Sequence, residues 1–444
     1  MSLDKIFKAY DVRGVYPDEF DEKAAYRIGA AFGRFAGAPA VLVGRDMRTS
    51  SEPMVAAFIR GVTEVGCDAI DLGLCSTDLV YYASGVRNLP GAMFTASHNP
   101  PQYNGIKFCR AGAAPVGQDT GLAQIKEMAA AGVDAAASVG RVSTEDMLAA
   151  FAGHLVGLVD AQAMRPLTVA VDAANGMGGK VVPAVFDRLD CRLIPLYFEL
   201  DGTFPNHPAD PIQPENLKDL QAAVILEKAD VGLAFDGDAD RVFLVDENAD
   251  PVSGSLTTAL VAQRLLREHP GSAVVHNVIC SRVVREVIEE MGGTPVRSRV
   301  GHSFIKQLMA ETNAVFGGEH SGHYYFRDNF RADSGLLAAL YVLEIMSAEG
   351  RPLSELLAPL QRYHASGEIN VEVADQDATV AKIEAGYADG RIDKLDGLTV
   401  DFDDWWFNVR PSNTEPLLRL NVEAKSSGMM ETKRDEIVAI MKEG

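Results

Sequence analysis

Short, almost wholly apolar runs alternate along the chain with longer stretches whose apolar residues recur at helical spacing, a pattern that predicts strands alternating with helices. A unit of strand, polar or glycine-containing turn, helix and second strand occurs about three times. The first copy runs from Val41-Leu42-Val43 through Gly44-Arg45-Asp46 into a helix after Ser50-Ser51-Glu52-Pro53, where hydroxyl caps and an early proline suit a helix start. It closes on Ala69-Ile70-Asp71-Leu72. The second begins at Val169-Ala170-Val171, turns between residues 172 and 179 and reaches Arg192-Leu193-Ile194. The third begins at Ala273-Val274-Val275, continues through a helix over residues 283–291, and passes Gly292-Gly293 to Thr294-Pro295-Val296. Such alternation implies open α/β layers with largely parallel pairing.

After about residue 366 the period changes to two, in Glu368-Ile369-Asn370-Val371-Glu372-Val373 and again in Leu398-Thr399-Val400-Asp401-Phe402. Strands of that kind have one dry and one wet face. With helices expected near residues 379–387 and 431–441, this reads as a small α+β domain. Ser143-Thr144-Glu145-Asp146 has the form of a helix start before an apolar-periodic stretch to Val159, and is expected to join the first two units. Boundaries near 150, 250 and 366 divide the chain into residues 1–150, 151–250, 251–366 and 367–444.

Charge narrows the partners. The 444 residues carry 41 Lys and Arg against 62 Asp and Glu, a formal charge of −21, so nucleic acid and anionic membrane surfaces are repelled. Cys67, Cys75, Cys109, Cys191 and Cys280 are scattered, odd in number and never in a C-x-x-C pair, which argues against a disulfide framework or zinc ribbon and for a reducing compartment. The N-terminus mixes charged with apolar residues and no uncharged apolar run approaches the ~18 residues of a membrane span, so a cytoplasmic protein is expected.

Four segments carry candidate chemistry. Phe94-Thr95-Ala96-Ser97-His98-Asn99-Pro100 leaves an apolar strand for a turn-rich stretch ending at Asn104-Gly105-Ile106-Lys107, and strand ends are where α/β folds place reactive groups. Ser97 is either a nucleophile or phosphate carrier, or a hydroxyl closing a turn, and an adjacent histidine does not make a triad. In Asp236-Gly237-Asp238-Ala239-Asp240-Arg241 three carboxylates alternate between apolar strands. They repel one another unless a hard cation neutralises them, so Mg²⁺ or another oxygen-seeking ion is favoured over a solvated acidic loop, because the apolar flanks hold the segment in place. The imitation of an EF-hand, with Glu247 at the twelfth position, fails because Arg241 stands where a glycine is needed.

Gly317-Gly318-Glu319-His320-Ser321-Gly322-His323 is dense in groups that hydrogen-bond a polyol, although a simple polar turn fits equally, and His302 reads first as a satisfied, partly buried histidine. Arg410-Pro411-Ser412-Asn413-Thr414-Glu415-Pro416, followed by Arg419, forms either a phosphate cradle or a turn between strands. A phosphate dianion on so acidic a chain needs local cations, which tips the balance toward the cradle. Nucleotide motifs fail: Gly176-Met177-Gly178-Gly179-Lys180-Val181 lacks the last glycine of the dinucleotide fingerprint and the Ser or Thr that follows a Walker lysine.

Taken in this order, the four segments resemble the α-D-phosphohexomutase superfamily over essentially the whole chain. Lys8-Ala9-Tyr10-Asp11-Val12-Arg13-Gly14 and Asp404-Trp405-Trp406-Phe407-Asn408-Val409-Arg410 resemble its bacterial phosphomannomutase and phosphomannomutase/phosphoglucomutase branch; the phosphoglucosamine mutase branch usually starts differently. The resemblance implies three similar α/β/α domains with mixed, mostly parallel sheets and a C-terminal α+β domain with an antiparallel sheet, arranged around a central cleft. It implies a phosphoryl group on Ser97 and Mg²⁺ held by Asp236, Asp238, Asp240 and that phosphoserine. Glu319 and Ser321 would hold sugar hydroxyls, with Tyr10 also on the substrate, while Arg410, Ser412, Asn413, Thr414 and Arg419 hold the distal phosphate. Arg13, His98, Lys107, Arg241, His302 and His323 would line the reacting end.

The implied reaction interconverts hexose 1- and 6-phosphates through a hexose 1,6-bisphosphate, which is both intermediate and activator, in a monomer or small homo-oligomer whose last domain is separate and movable. Members acting on both glucose and mannose phosphates can carry a lysine in the segment where this chain has Val278-Ile279-Cys280; Ile279 removes that cationic contact and favours mannose phosphates. Bifunctional phosphoglucomutase or phosphoglucosamine mutase activity, a metal-dependent phosphomonoesterase and a non-catalytic sugar-phosphate binder are the alternatives.

Overall fold

The computed structural model describes residues 3–411 and 417–443. They form four sheets, three of them mixed and the last wholly antiparallel. The mixed sheets share a four-strand kernel. In the first, Ala40–Arg45 lies between Asp68–Leu74 and Gly91–Phe94, parallel to both, and Tyr103–Arg110 adds antiparallel beyond Gly91–Phe94. In the second the same places are taken by Thr168–Asp172, Arg192–Leu196, Val231–Phe235 and Val242–Val245. In the third they are taken by Ala273–Asn277, Thr294–Ser298, Phe316–Gly318 and Tyr324–Phe326. The loop between the third and fourth strand of each kernel carries one of the motifs: Ser97 in the first, the three aspartates in the second, Glu319 to His323 in the third.

The recurring units thus extend further than their first helix and second strand. Those helices are Ser51–Glu64, Gly178–Phe186 and Arg282–Glu290. The hydroxyl caps expected at the first are not made: Ser51 Oγ donates to Asp46, just past one strand, and Ser50 Oγ accepts from Asn104 in another, so both hydroxyls tie the helix start to the sheet. The third helix is capped as its sequence suggests, with the Ser281 hydroxyl accepting from Val283 N–H.

Ser143-Thr144 does not start a helix. Val142–Thr144 is an edge strand parallel to Asp68–Leu74, and the helix is Leu148–Val156, whose first N–H donates to the Asp146 carboxylate. Pairing with an available sheet edge satisfies that backbone better than a longer helix would.

The largest apolar core runs without interruption from the first unit to the third, and Gly335–Glu349, apolar on all sides, is almost wholly buried within it. The C-terminal part has a core of its own around Trp405, Phe407, Leu420 and Ile437. Its sheet runs His364–Glu372, Leu417–Ala424, Trp405–Pro411, Leu398–Asp401, Arg391–Asp393, covered by Gln376–Gly386 and Ser427–Lys442. Both helices begin a few residues before the expected positions because Asp375 and Ser426 cap them. Among the described residues no helix is long and apolar enough to cross a membrane.

Candidate active site

Ser97 sits at the tip of its loop in the left-handed region, φ +50°, a conformation uncommon for serine that the surroundings must enforce. Arg48, which the sequence analysis did not single out, supplies the enforcement. Its buried guanidinium donates to the carbonyls of Ser97 (2.9 Å), Asn99 (2.7 Å), Pro100 (2.8 Å) and Tyr103 (2.9 Å), and is neutralised by Asp46 at 3.1 Å. The signal was an arginine and an aspartate just past a buried strand, but nothing in the sequence said which loop they would meet.

The backbone of the aspartate loop comes close enough that a Cβ on Gly237 would lie 2.5 Å from the Ser97 carbonyl oxygen, which only glycine permits. Ser97 Oγ donates to Asp236 Oδ2 at 2.7 Å, lies 3.2 Å from His98 Nδ1, and has Arg241 Nη2 at 3.4 Å.

Asp236, Asp238 and Asp240 are fully buried, each with one oxygen within 4.8 Å of the others. A solvated acidic loop is therefore not what forms. Lys107 Nζ reaches Asp238 at 2.7 Å and Asp240 at 2.6 Å, and Arg241 Nε reaches Asp236 at 2.8 Å. Burial pushes the Asp236 carboxyl up to about 7 and raises Asp240 as well. Burial works upward on Asp238 too, yet the Lys107 ammonium and the Thr77 hydroxyl hold it below the usual carboxylate range. Two cations for three carboxylates leave negative charge over, and the Oδ1 atoms of Asp238 and Asp240 are buried without a hydrogen-bond partner. This donor set fits a hard divalent cation.

Arg13 donates to Asn99 Oδ1 at 2.5 Å and Asp11 at 2.6 Å, which brings it onto the Ser97 loop. Burial, reinforced by Arg241 and Arg13, pushes His98 well below the ordinary histidine value. His302, half-buried, is not the satisfied histidine expected: its Nδ1 has no partner, its ring meets Tyr10 edge-on at 5.7 Å, and burial pushes it down to about 3. His323 goes the other way despite its burial, raised by Asp240 and by Asp333, whose Oδ2 is 3.1 Å from its Nδ1. Asp333 is tied in turn to buried Lys306 at 2.7 Å; neither was anticipated, since both lie outside the motif loops.

Glu319 is buried, its carboxylate accepting from Asn277 Nδ2 at 3.0 Å and the Tyr325 hydroxyl at 2.6 Å, with half-buried Ser321 in the same loop. Tyr10 bonds the Val300 carbonyl at 3.2 Å and lies within electrostatic reach of both Glu319 and Arg410. Arg410 and Arg419 face each other across adjacent strands. Ser412, Asn413 and Thr414 lie outside the described residues.

The chain matches in succession the models described as phosphoglucomutase/phosphomannomutase alpha/beta/alpha domain I over residues 4–135, domain II over 147–250, domain III over 253–363, and the C-terminal domain over 368–440. A phosphomannomutase of Salmonella montevideo is 39% identical over 98% of each chain. The chain belongs to the phosphoglucomutase/phosphomannomutase family. The phosphohexose mutases of Xanthomonas campestris are 40% identical over 98% of this chain and 99% of theirs. A crystal structure of a phosphoglucomutase/phosphomannomutase family protein from Burkholderia thailandensis superposes with a TM-score of 0.91 at 33% identity, covering 100% of this chain and 98% of that one. The protein is a phosphohexomutase, an isomerase that works as an intramolecular phosphotransferase.

Proposed function

We propose that the protein is a phosphomannomutase, interconverting mannose 1-phosphate and mannose 6-phosphate through a phosphoserine at Ser97 and a hexose 1,6-bisphosphate. The observation that carries this reading is Ser97 Oγ at 2.7 Å from Asp236, a member of the buried carboxylate cluster, while the neighbouring His98 at 3.2 Å has no orienting acid hydrogen-bonded to it among the described residues. Such a hydroxyl is built to carry a phosphoryl group beside a cation.

Asp236, Asp238 and Asp240 would hold Mg²⁺ together with the phosphoserine. When bound there, the ion offsets charge spread over the transferring oxygens. In the transfer the Ser97 Oγ–P bond breaks as a bond from phosphorus to the sugar O1 or O6 forms, and the proton of that sugar hydroxyl is passed on to the departing Ser97 Oγ, which is left as a hydroxyl. His98, whose Nδ1 lies 3.2 Å from Ser97 Oγ, and His302 are held neutral by burial and so are weak bases that relay the proton rather than keep it, while Lys107 and Arg241 keep their charge among the carboxylates. Arg13 and His323 complete the charge around the reacting end. Glu319 and Ser321 hold sugar hydroxyls, Tyr10 contacts the substrate, and Arg410 and Arg419, with Ser412, Asn413 and Thr414, take the distal phosphate. After the first transfer the bisphosphate turns over in the cleft and the other phosphoryl returns to Ser97.

Mannose preference is supported by the relatives named phosphomannomutase and by Ile279, which lies buried beside His320 and Trp406 and offers no cation to the sugar. The test is a coupled assay of mannose 1-phosphate against glucose 1-phosphate, with Mg²⁺ and catalytic 1,6-bisphosphate, following 6-phosphate and free phosphate together. A strong mannose preference without phosphate release is expected. Equal rates would make the enzyme bifunctional, and dominant phosphate release would make it a hydrolase.

A further inference from the structure

Arg410 and Arg419 are direct cross-strand partners, a placement of like charges that costs stability unless an anion lies between them. Glu368 is that anion. Its Oε2 accepts from Arg410 Nη2 at 2.6 Å and its Oε1 lies 3.4 Å from Arg419 Nη1.

A bulge brings it there. His364–Glu372 pairs with Leu417–Ala424 with Ala365 opposite Glu423, and the register then shifts so that Glu368 stands opposite Asn421. Without the shift Glu368 would face Leu420 and share its side of the sheet, which is the apolar core. The inserted residue moves the carboxylate onto the face that carries Arg410 and Arg419. The Nε–H groups of both arginines are buried with no hydrogen-bond partner among the described residues, so this one carboxylate does not use up the donors.

We propose that Glu368 is a positioning residue of the phosphate cradle, an internal carboxylate that holds the two guanidiniums side by side and competes with the substrate phosphate for them. The inference rests on the reading of Arg410 and Arg419 as that cradle. Two adjacent uncompensated arginines would grip a phosphate dianion firmly, yet each turnover requires the cradle to release one phosphate of the intermediate and take the other. Glu368 leaves the pair with a single net positive charge and repels the incoming dianion, which weakens the grip without removing either fork.

The test is calorimetric titration of the full chain with mannose 6-phosphate in a Ser97→Ala background, which stops phosphoryl exchange during the measurement. Glu368→Gln keeps the shape and removes the charge; it should bind roughly three- to tenfold more tightly than its parent, with a steeper loss of affinity as salt is added. Glu368→Thr, compatible with a strand, should move in the same direction and stands in if the glutamine variant folds poorly. Arg410→Gln should bind more weakly. Unchanged or weaker binding in both Glu368 variants, beside a weakened Arg410→Gln, would overturn the role of Glu368 and leave the cradle standing. Unchanged binding in Arg410→Gln would overturn the cradle and the role of Glu368 with it.

Discussion

On the proposed function, the reacting end and the distal arginine pair face one electrostatic problem, holding phosphate on a chain of charge −21, and are built in opposite ways. Around Ser97 the buried charged groups are locked by partners: Lys107 on two aspartates and Arg48 on the loop carbonyls, both from other segments, and Arg241 on Asp236 within its own loop. Dehydrated charges held in place stabilise a transferring phosphoryl without reorganising at the moment of reaction. The arginine pair lies on one face of a sheet with its own core, partly exposed, and shares a single carboxylate. Chemistry calls for rigid burial, whereas repeated capture and release calls for a shallow, partly compensated site.

Four measurements would break or sharpen that contrast. The largest effect belongs to Ser97→Ala, which should cost at least about 10³-fold in turnover while leaving the thermal melt almost unmoved. Substantial residual activity would show that the buried end is not where the phosphoryl group is carried. Next comes Arg48→Met, which leaves Asp46 as an uncompensated buried charge and frees the Ser97 loop. Denaturant unfolding should register a loss of about 3–5 kcal/mol. A loss below about 1 kcal/mol would mean that the loop holds its left-handed serine unaided.

Replacing Arg410 by glutamine should instead raise KM for hexose phosphate, by the equivalent of about 1.5–3 kcal/mol, with a smaller change in stability, because Glu368 keeps Arg419 as a partner. Unaltered KM would remove the arginine from substrate binding. The smallest effect concerns Asp78, buried behind the reacting end, hydrogen-bonded by the hydroxyls of Ser76 and, at 2.6 Å, Ser334. Burial pushes its carboxyl up to about 7. An unfolded aspartate titrates near ~3.9, so the folded chain holds the extra proton between these values, and the stability this group contributes is lost as pH rises through that window. Asp78→Asn should therefore gain about 1–3 kcal/mol on its parent between about pH 5 and pH 8 in matched denaturation curves. A gap that stays constant with pH would return Asp78 to the ordinary carboxylates.

Much of this is legible in the amino-acid sequence alone. Periodicity locates the first helix and second strand of each unit because burial of a face leaves its mark on consecutive residues: Val41-Leu42-Val43 had to be a buried strand, and Glu368 to Val373 a half-buried one. Where a short segment has two uses, periodicity does not choose between them. Ser143-Thr144 fits a helix cap and an edge strand equally well, and the free edge of Asp68–Leu74 decides for the strand. The satisfied histidine expected at His302 fails for a like reason, since the partner its Nδ1 would need depends on packing far along the chain.

The sequence by itself determined the alternation of elements, the four motif segments and the chemistry their side chains permit, since each of these resides in neighbouring residues. Tertiary structure alone decided that the aspartate loop meets Ser97 while His323 of the third loop pairs with Arg241 beside it, that Arg48 clamps the Ser97 loop, that Lys306 and Asp333 stand behind His323, and that a one-residue bulge turns Glu368 toward two arginines. The physical reason is range: hydrophobic periodicity is written every two to four residues, whereas a buried charge finds its partner across scores of residues, at a place that only the packed sheets define.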